Sequence, residues 1–252
     1  MKNNKTNTTT ESEQAHFFAR PCRNALHRLA TTLAAAMIFA SVAAAGDNDG
    51  QVFAPNSTVH ERSYGQWAAL WWQWALSIPE AENPILDSTG QFCGVGQSGP
   101  VWFLSGTFGG DAVRTCTIPR NTPIFMPVHN WIFGAGAFDC TPTVPDVICD
   151  VDTLRAKAAD AATSVEVMEV TIDGALVSNI PNYRSISPQP FSVTFPAGAV
   201  FGIPEGTHYP HVADGYWLML KPLKKGQHTI TVTASNPTYG VDLNVVHYLT
   251  VE

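Results

Sequence analysis

Residues 63–79 read SYGQWAALWWQWALSIP and carry a strong helix signal. Ser63 followed by Gln66 forms a capping box and Pro79 blocks continuation, so a helix is predicted from about Tyr64 to Ser77. At about 100° per residue, one face of this helix carries Trp67, Leu70, Trp71, Trp74 and Ile78, with Trp72 beside it. Because this helix is too apolar to lie in water, we expect it to lie across a sheet and close one side of the core.

The chain that follows this helix contains many β-branched and aromatic runs bounded by Gly or Pro, which are typical of strands. The first three, Val101–Ser105, Val113–Ile118 and Ile124–Trp131, are predicted to be neighbouring antiparallel strands. A short surface helix is predicted over Thr153–Ser164, capped by Asp152. Further strands are predicted at Val167–Ile172, Phe191–Phe195, Ala199–Ile203, Tyr216–Leu220, His228–Ala234 and Leu243–Val251. The pattern predicts a mostly β fold: a two-sheet antiparallel sandwich, jelly-roll or immunoglobulin-like, with a buried Trp-rich helix.

Residues 1–45 are predicted to be a cleaved export signal. Positive charge at Arg20, Arg23 and Arg28 precedes an apolar run, Leu29–Val42, and the small residues 43–45 satisfy the A-x-A rule. The apolar run is about 15 residues long, shorter than the ~20 that a membrane span requires, so cleavage is favoured over an uncleaved anchor. Residues 46–252 are then predicted to form a single β domain in the periplasm or outside the cell, with no membrane span.

The cysteines support an oxidising destination. Cys22 lies in the predicted signal, which leaves Cys93, Cys116, Cys140 and Cys149. Several pairings are open, and sequential pairing of Cys93 with Cys116 and of Cys140 with Cys149 closes the shortest loops. A four-thiolate zinc site is the alternative, which the absence of any C-x-x-C pair disfavours.

The balance of charge limits the classes of partner. The net charge is −7, from 14 Lys and Arg against 21 Asp and Glu. Nucleic acid is therefore disfavoured, because phosphate binding needs clustered basic residues. The sequence also lacks a P-loop, a dinucleotide fingerprint, an H-E-x-x-H motif and a nucleophile elbow, which disfavours common hydrolase, kinase and dehydrogenase classes.

Several segments resemble a family of uncharacterised exported bacterial proteins with a Trp-rich YGxWxxxWWxWALxIP segment. They are Tyr64–Trp67, Trp71–Pro79, Gly96–Leu104, Asp214–Leu223 and Gly226–Ile230. The resemblance spans most of the chain after the signal and implies export and a single domain. It implies no activity and no catalytic residues.

Trp72 is the candidate ligand-binding residue, because it is placed at the edge of the apolar helix face and could stack on a sugar ring at the surface. Core packing is the alternative for the Trp residues of this helix. The predicted partner is accordingly a glycan or a cell-envelope component.

Two sets of residues could hold a metal, although no cofactor is predicted. His208 and His211 are three residues apart in a Gly- and Pro-bounded segment and could bind zinc if Asp214 or another ligand completed the site. Asp146, Asp150 and Asp152 could bind calcium, but they do not follow the EF-hand pattern, and a helix cap explains Asp152. A solvated loop is the alternative in both cases.

His129, Arg114 and Tyr209 are the candidate catalytic residues. In a polysaccharide lyase, a cation neutralises a uronate carboxylate while Tyr or His removes a proton, so this set fits that chemistry. Structural roles for all three are the alternative. The sequence thus predicts an exported β-sandwich of unknown activity that binds a glycan or envelope component, with a carbohydrate-active enzyme or a metal-binding module as alternatives.

Overall fold

The computed structural model describes residues 49–135 and 150–252, in which ten strands form two sheets. Sheet 1 has the order β1 (Trp102–Phe103), β3 (Ile124–Gly134), β8 (Gly206–Leu220) and β6 (Arg184–Ile186), and β7 (Phe191–Phe195) also pairs with β8. Sheet 2 has the order β2 (Gly110–Ile118), β10 (Val241–Val251), β9 (Gly226–Asn236), β4 (Val167–Ile172) and β5 (Ala175–Leu176). The predicted mostly β, two-sheet fold is confirmed.

Two strand pairs are parallel, a feature that the sequence pattern does not predict. β1 is parallel to β3, and β2 is parallel to β10. The prediction that the first three strands are antiparallel neighbours is therefore wrong, since β2 belongs to the other sheet. Pro119 and Pro123 flank the connection between β2 and β3. This connection crosses between the sheets instead of closing a hairpin, and neither proline at its ends can donate a ladder hydrogen bond.

The Trp-rich helix α1 spans Tyr64–Leu76 and begins at the predicted capping box. The Gln66 amide donates to the Ser63 hydroxyl at 3.3 Å, and the Ser63 amide donates to the Gln66 side chain at 2.9 Å. The cap satisfies two amide groups that have no partner within the helix. The local signal in residues 63–79 therefore fixes both ends of this helix.

The indole rings of α1 are buried, as predicted. The indole nitrogens of Trp67, Trp71 and Trp74 donate to backbone carbonyls of Val59, Leu104 and Val95, at 2.9–3.0 Å. The Trp71 ring lies against that of Trp217 in β8, with centroids 5.4 Å apart. The helix thus closes one side of the core while the buried N–H groups of these three indoles keep hydrogen-bond partners.

The second helix, α2, spans Val151–Thr163, and its cap differs from the prediction. Asp150, rather than Asp152, is the N-cap, and its carboxylate accepts from the amide and hydroxyl of Thr153, each at 3.0 Å. Asp152 lies in the first turn, where its charge favours the helix dipole. The helix packs on β3 and β8 through Leu154 and Ala158. No helix among the described residues is long and apolar enough to cross a membrane.

A disulfide bond joins Cys93 to Cys116, which confirms the first of the two predicted bridges. It attaches the long connection after α1 to β2. Backbone bonds support the same attachment, because the amides of Val113 and Thr115 donate to the carbonyls of Ser88 and Thr89. The second predicted pair, Cys140 with Cys149, and the predicted signal, residues 1–45, lie outside the described residues.

Replacing both Cys93 and Cys116 by serine should lower the free energy of unfolding by about 2–4 kcal/mol, because the unfolded chain gains freedom when the loop is no longer closed. Urea denaturation of the variant and of the unaltered protein measures the difference. The backbone bonds of Ser88 and Thr89 to β2 should keep the native fold, so the far-ultraviolet circular dichroism spectrum should not change. A difference below about 1 kcal/mol would show that the bridge does not restrict the unfolded chain.

Candidate functional site

A cavity of about 400 Å³ lies between the two sheets. β3 forms one wall, β9 and β10 form the opposite wall, and α1 contributes Trp71 and Trp72. Ile85, residues 105–108, Phe201 and Tyr239 complete the lining. Pockets that bind small molecules commonly measure roughly 300–1,000 Å³, so this cavity is large enough to hold a ligand.

The lining is mostly aromatic and aliphatic and carries no net charge. None of the lining residues that the structure describes is Asp, Glu, Lys or Arg. Burial lowers the pKa of His129 to about 4. Burial, together with the positive charge of Arg114, lowers the pKa of His247 to about 3, against the opposing effect of the Ser105 backbone. Both imidazoles are therefore neutral near pH 7.

Several polar atoms of the lining have no hydrogen-bond partner among the described residues. They are both ring nitrogens of His129, Nε1 of Trp72 and of Trp131, Oδ1 of Asn130 and Nδ1 of His247. A buried polar group without a partner costs about 1–3 kcal/mol, so native proteins leave few of them unpaired. Their accumulation around one cavity marks it as the candidate site, because a bound molecule with its own polar group can pair some of them.

A β-bulge positions His129 in the cavity wall. The register between β3 and β8 shifts between Pro127 and His129, and His129 then lies opposite Tyr216. Gly215, in β8, has a φ of 157°, and a Cβ there would come within 2.4 Å of the Cα of Asn130. Only glycine permits this close approach of the two strands, and the bulge redirects the side chains that follow it.

Arg114 lies behind the cavity wall, not in it. Its guanidinium donates to the carbonyls of Asp87 at 2.6 Å, Ser105 at 3.0 Å, Gly106 at 2.9 Å and Ile85 at 3.1 Å. Burial lowers the pKa of Arg114 to about 10, while the charge of Asp87 raises it, so the group stays protonated near pH 7. Arg114 therefore joins the two backbone segments that supply Ile85, Ser105 and Gly106 to the cavity lining.

The predicted catalytic set is not brought together. His129 lines the cavity, whereas the Arg114 guanidinium donates its hydrogen bonds to backbone carbonyls. Tyr209, near the start of β8, is 59% exposed and does not line the cavity. A shared cleft is the geometric requirement for proton abstraction with charge neutralisation. The described structure therefore does not provide the lyase arrangement that these residues were predicted to form.

The predicted metal ligands take other roles in the described structure. The His208 ring nitrogen Nε2 lies 2.9 Å from the Pro204 carbonyl, and His211 is buried, with its ring over Gly134. Asp214 forms an ion pair with Arg184 at 2.8 Å. Of the predicted calcium ligands, Asp150 caps α2 and Asp146 lies outside the described residues. Residues 49–135 and 150–252 contain no group of three His, Cys, Asp or Glu side chains placed to hold a metal.

Trp72 is only 4% exposed, so its predicted role as a surface platform for sugar rings is wrong. It nevertheless lines the cavity. The helical-wheel angle places Trp72 at the edge of the apolar face, but that edge faces the cavity and is buried as well. His247 is a lining residue that sequence reasoning missed. Its position in the alternating buried pattern of β10, between Val245 and Leu249, is the signal that could have found it.

No family model matches the chain, and no curated protein matches it. The comparison with solved structures gives a chain described as "Structure of PbICP-C in complex with falcipain-2". It is 12% identical, covers 61% of this chain and 100% of that chain, and has a TM-score of 0.25. A likeness at that TM-score supports no conclusion about fold or function.

Proposed function

We propose that this chain is an exported β-sandwich protein that binds a small, largely apolar molecule in the cavity between its sheets. The observation that carries the proposal is the cavity itself, about 400 Å³ in volume and lined by aromatic and aliphatic side chains. A cavity of this kind favours ligands that leave water readily, because burial of apolar surface supplies most of the binding free energy.

The lining favours an apolar molecule over a glycan. A sugar carries hydroxyl groups around its ring, and each of them must find a hydrogen-bond partner when it leaves water. The described polar atoms of the lining that lack a partner number six and belong to His129, Asn130, His247 and two indoles, fewer than the hydroxyl groups and ring oxygen of a sugar would need. Among cell-envelope components, a molecule with an apolar body and a single polar group is therefore the better fit.

Three features support the exported part of the proposal. Residues 1–45 have the pattern of a secretory signal. The disulfide between Cys93 and Cys116 is of a kind that persists in oxidising compartments. The Trp-rich segment at residues 64–79 also resembles a family of exported proteins.

A neutral fluorescent probe, N-phenyl-1-naphthylamine, tests the site. Val245 lines the cavity and Val246, the next residue of β10, does not, so Val245→Phe and Val246→Phe form a matched pair. We expect Val245→Phe to weaken probe binding at least about 10-fold, because the added ring fills space that the probe needs. Val246→Phe should bind as the unaltered protein does. Probe fluorescence and energy transfer from tryptophan measure the affinity.

Circular dichroism and thermal melting establish that both variants are folded. If the unaltered protein does not bind the probe, or if both variants bind it equally well, the cavity is not a binding site and the proposal fails. Leu243→Phe, a second substitution in the cavity wall, gives the same test if Val245→Phe does not fold.

A further inference from the structure

The described residues offer no charge that could compensate an ionised ligand inside the cavity. Arg114, a cation of β2 that contacts the lining residues Ile85, Ser105 and Gly106, donates to four backbone carbonyls and does not itself line the cavity. The Asp87 carboxylate accepts from Thr89 and Phe92. These groups are occupied by their own partners, so an ion in the cavity would lose its hydration and gain no counter-charge.

The two cavity histidines do not change this balance near neutral pH. Burial holds the pKa of His129 near 4 and that of His247 near 3. A neutral imidazole offers one donor and one acceptor. The polar atoms of the cavity are therefore suited to a hydroxyl, a carbonyl or an amine N–H, rather than to a carboxylate or an ammonium group.

The rim of the cavity is also apolar. Phe201 is 51% exposed and lines the cavity, and its ring packs edge-on against Phe108, with centroids 4.7 Å apart. Phe201 has a φ of 61°, in the left-handed region that a bulky side chain rarely adopts. Because Phe201 belongs to both the surface and the cavity, the two rings mark where the cavity approaches solvent.

From these observations we infer that the cavity selects uncharged ligands with an apolar body and a hydrogen-bonding group, and excludes ions of the same shape. The inference rests on the binding function proposed above and adds the class of ligand to it. Moving an ion from water into an uncharged apolar site is costly unless a counter-charge or several hydrogen bonds compensate it.

Two probes that differ by one charged group test the selection. N-phenyl-1-naphthylamine is neutral, and 8-anilinonaphthalene-1-sulfonate has the same rings and amine with an added sulfonate. At pH 7 we expect the neutral probe to bind the unaltered protein at least about 100-fold more tightly than the sulfonate. Val245→Phe should weaken binding of the neutral probe, and Val246→Phe should not.

The outcomes separate the two proposals. Two results together support the selection: Val245→Phe weakens binding of the neutral probe, and the sulfonate either does not bind or binds equally well to that variant. Similar affinities for both probes, both weakened by Val245→Phe, overturn the selection and leave the binding function in place. Tighter binding of the sulfonate, weakened by the same variant, overturns the selection as well. If neither probe binds, the proposed function fails and the selection fails with it. Leu243→Phe replaces Val245→Phe if the latter does not fold.

Discussion

Replacement of Arg114 by methionine should lower the free energy of unfolding by roughly 3–5 kcal/mol. The guanidinium donates to four backbone carbonyls, at Ile85, Asp87, Ser105 and Gly106. Methionine fills similar space but donates nothing, and each buried carbonyl that loses its partner costs about 1–3 kcal/mol. The variant also removes the cost of taking the charged guanidinium out of water, and this offsets part of the loss. The net effect is therefore smaller than the sum over the four carbonyls.

Two further variants isolate the cause of this loss. Arg120 lies near the end of β2 with an exposed side chain, so Arg120→Met should change the free energy of unfolding by no more than about 0.5 kcal/mol. Arg114→Lys keeps the charge but replaces the planar fork by a single ammonium, and it should recover less than half of the loss. Urea denaturation measures all three. A loss below about 1 kcal/mol in Arg114→Met would show that the four carbonyls do not depend on the guanidinium.

The helices and most strands could be predicted because their signals are local. The capping box at Ser63 and Gln66 and the stop at Pro79 lie within a few residues of the ends that they determine. Strand pairing could not be predicted in the same way. Whether β2 pairs with β3 or with β10 depends on where the chain crosses between the sheets, and the periodicity of either strand carries no information about that path.

The cavity could be predicted only in fragments. His129 and Trp72 are both candidates from sequence, but the cavity that they line together with His247 brings together residues that are far apart in the chain. The sequence gives no indication of the bulge at Pro127, which decides the direction of the side chains after it. Arg114 is interpreted from sequence as a catalytic cation because of its charge. Its partners in the structure are backbone carbonyls, which leave no trace in the pattern of side chains.

Acidification from pH 6.5 to about 4 should strongly lower the free energy of unfolding of the protein. Burial lowers the pKa of three histidines, to about 4 for His129, about 4 for His211 and about 3 for His247, from an ordinary value of 6.5. Arg114 faces His247 and lowers its pKa further, while His208 lowers that of His211 and the backbone groups around His211 partly oppose the shift. All three histidines are neutral in the folded protein at a pH where the unfolded chain already binds protons.

The unfolded state therefore binds more protons than the folded state between pH 6.5 and about 4, and the free energy of unfolding falls as the pH is lowered through this window. Each histidine contributes about 1.4 kcal/mol per pH unit, or on the order of 3 kcal/mol across the window. Three such contributions approach the total stability of a typical domain, roughly 5–15 kcal/mol.

Asp87 acts in a different pH range from the three histidines, which keeps its effect on stability separate from theirs. Asp87 has a pKa below its ordinary value of 3.8, because hydrogen bonds from Phe92 and Thr89 outweigh the raising effect of burial. Its contribution to stability is present above pH 3.8 and is lost only below it.

A plot of unfolding free energy against pH should therefore fall from pH 6.5 to about 4 because the unfolded chain protonates its histidines there. His129→Gln should reduce the slope of this plot by about 1.4 kcal/mol per pH unit. Nuclear magnetic resonance of the imidazole protons measures the titration of His129 directly. Desolvation is the cause of its lowered pKa. A His129 ring that titrates near pH 6 in the folded protein would therefore contradict its burial in an uncharged wall.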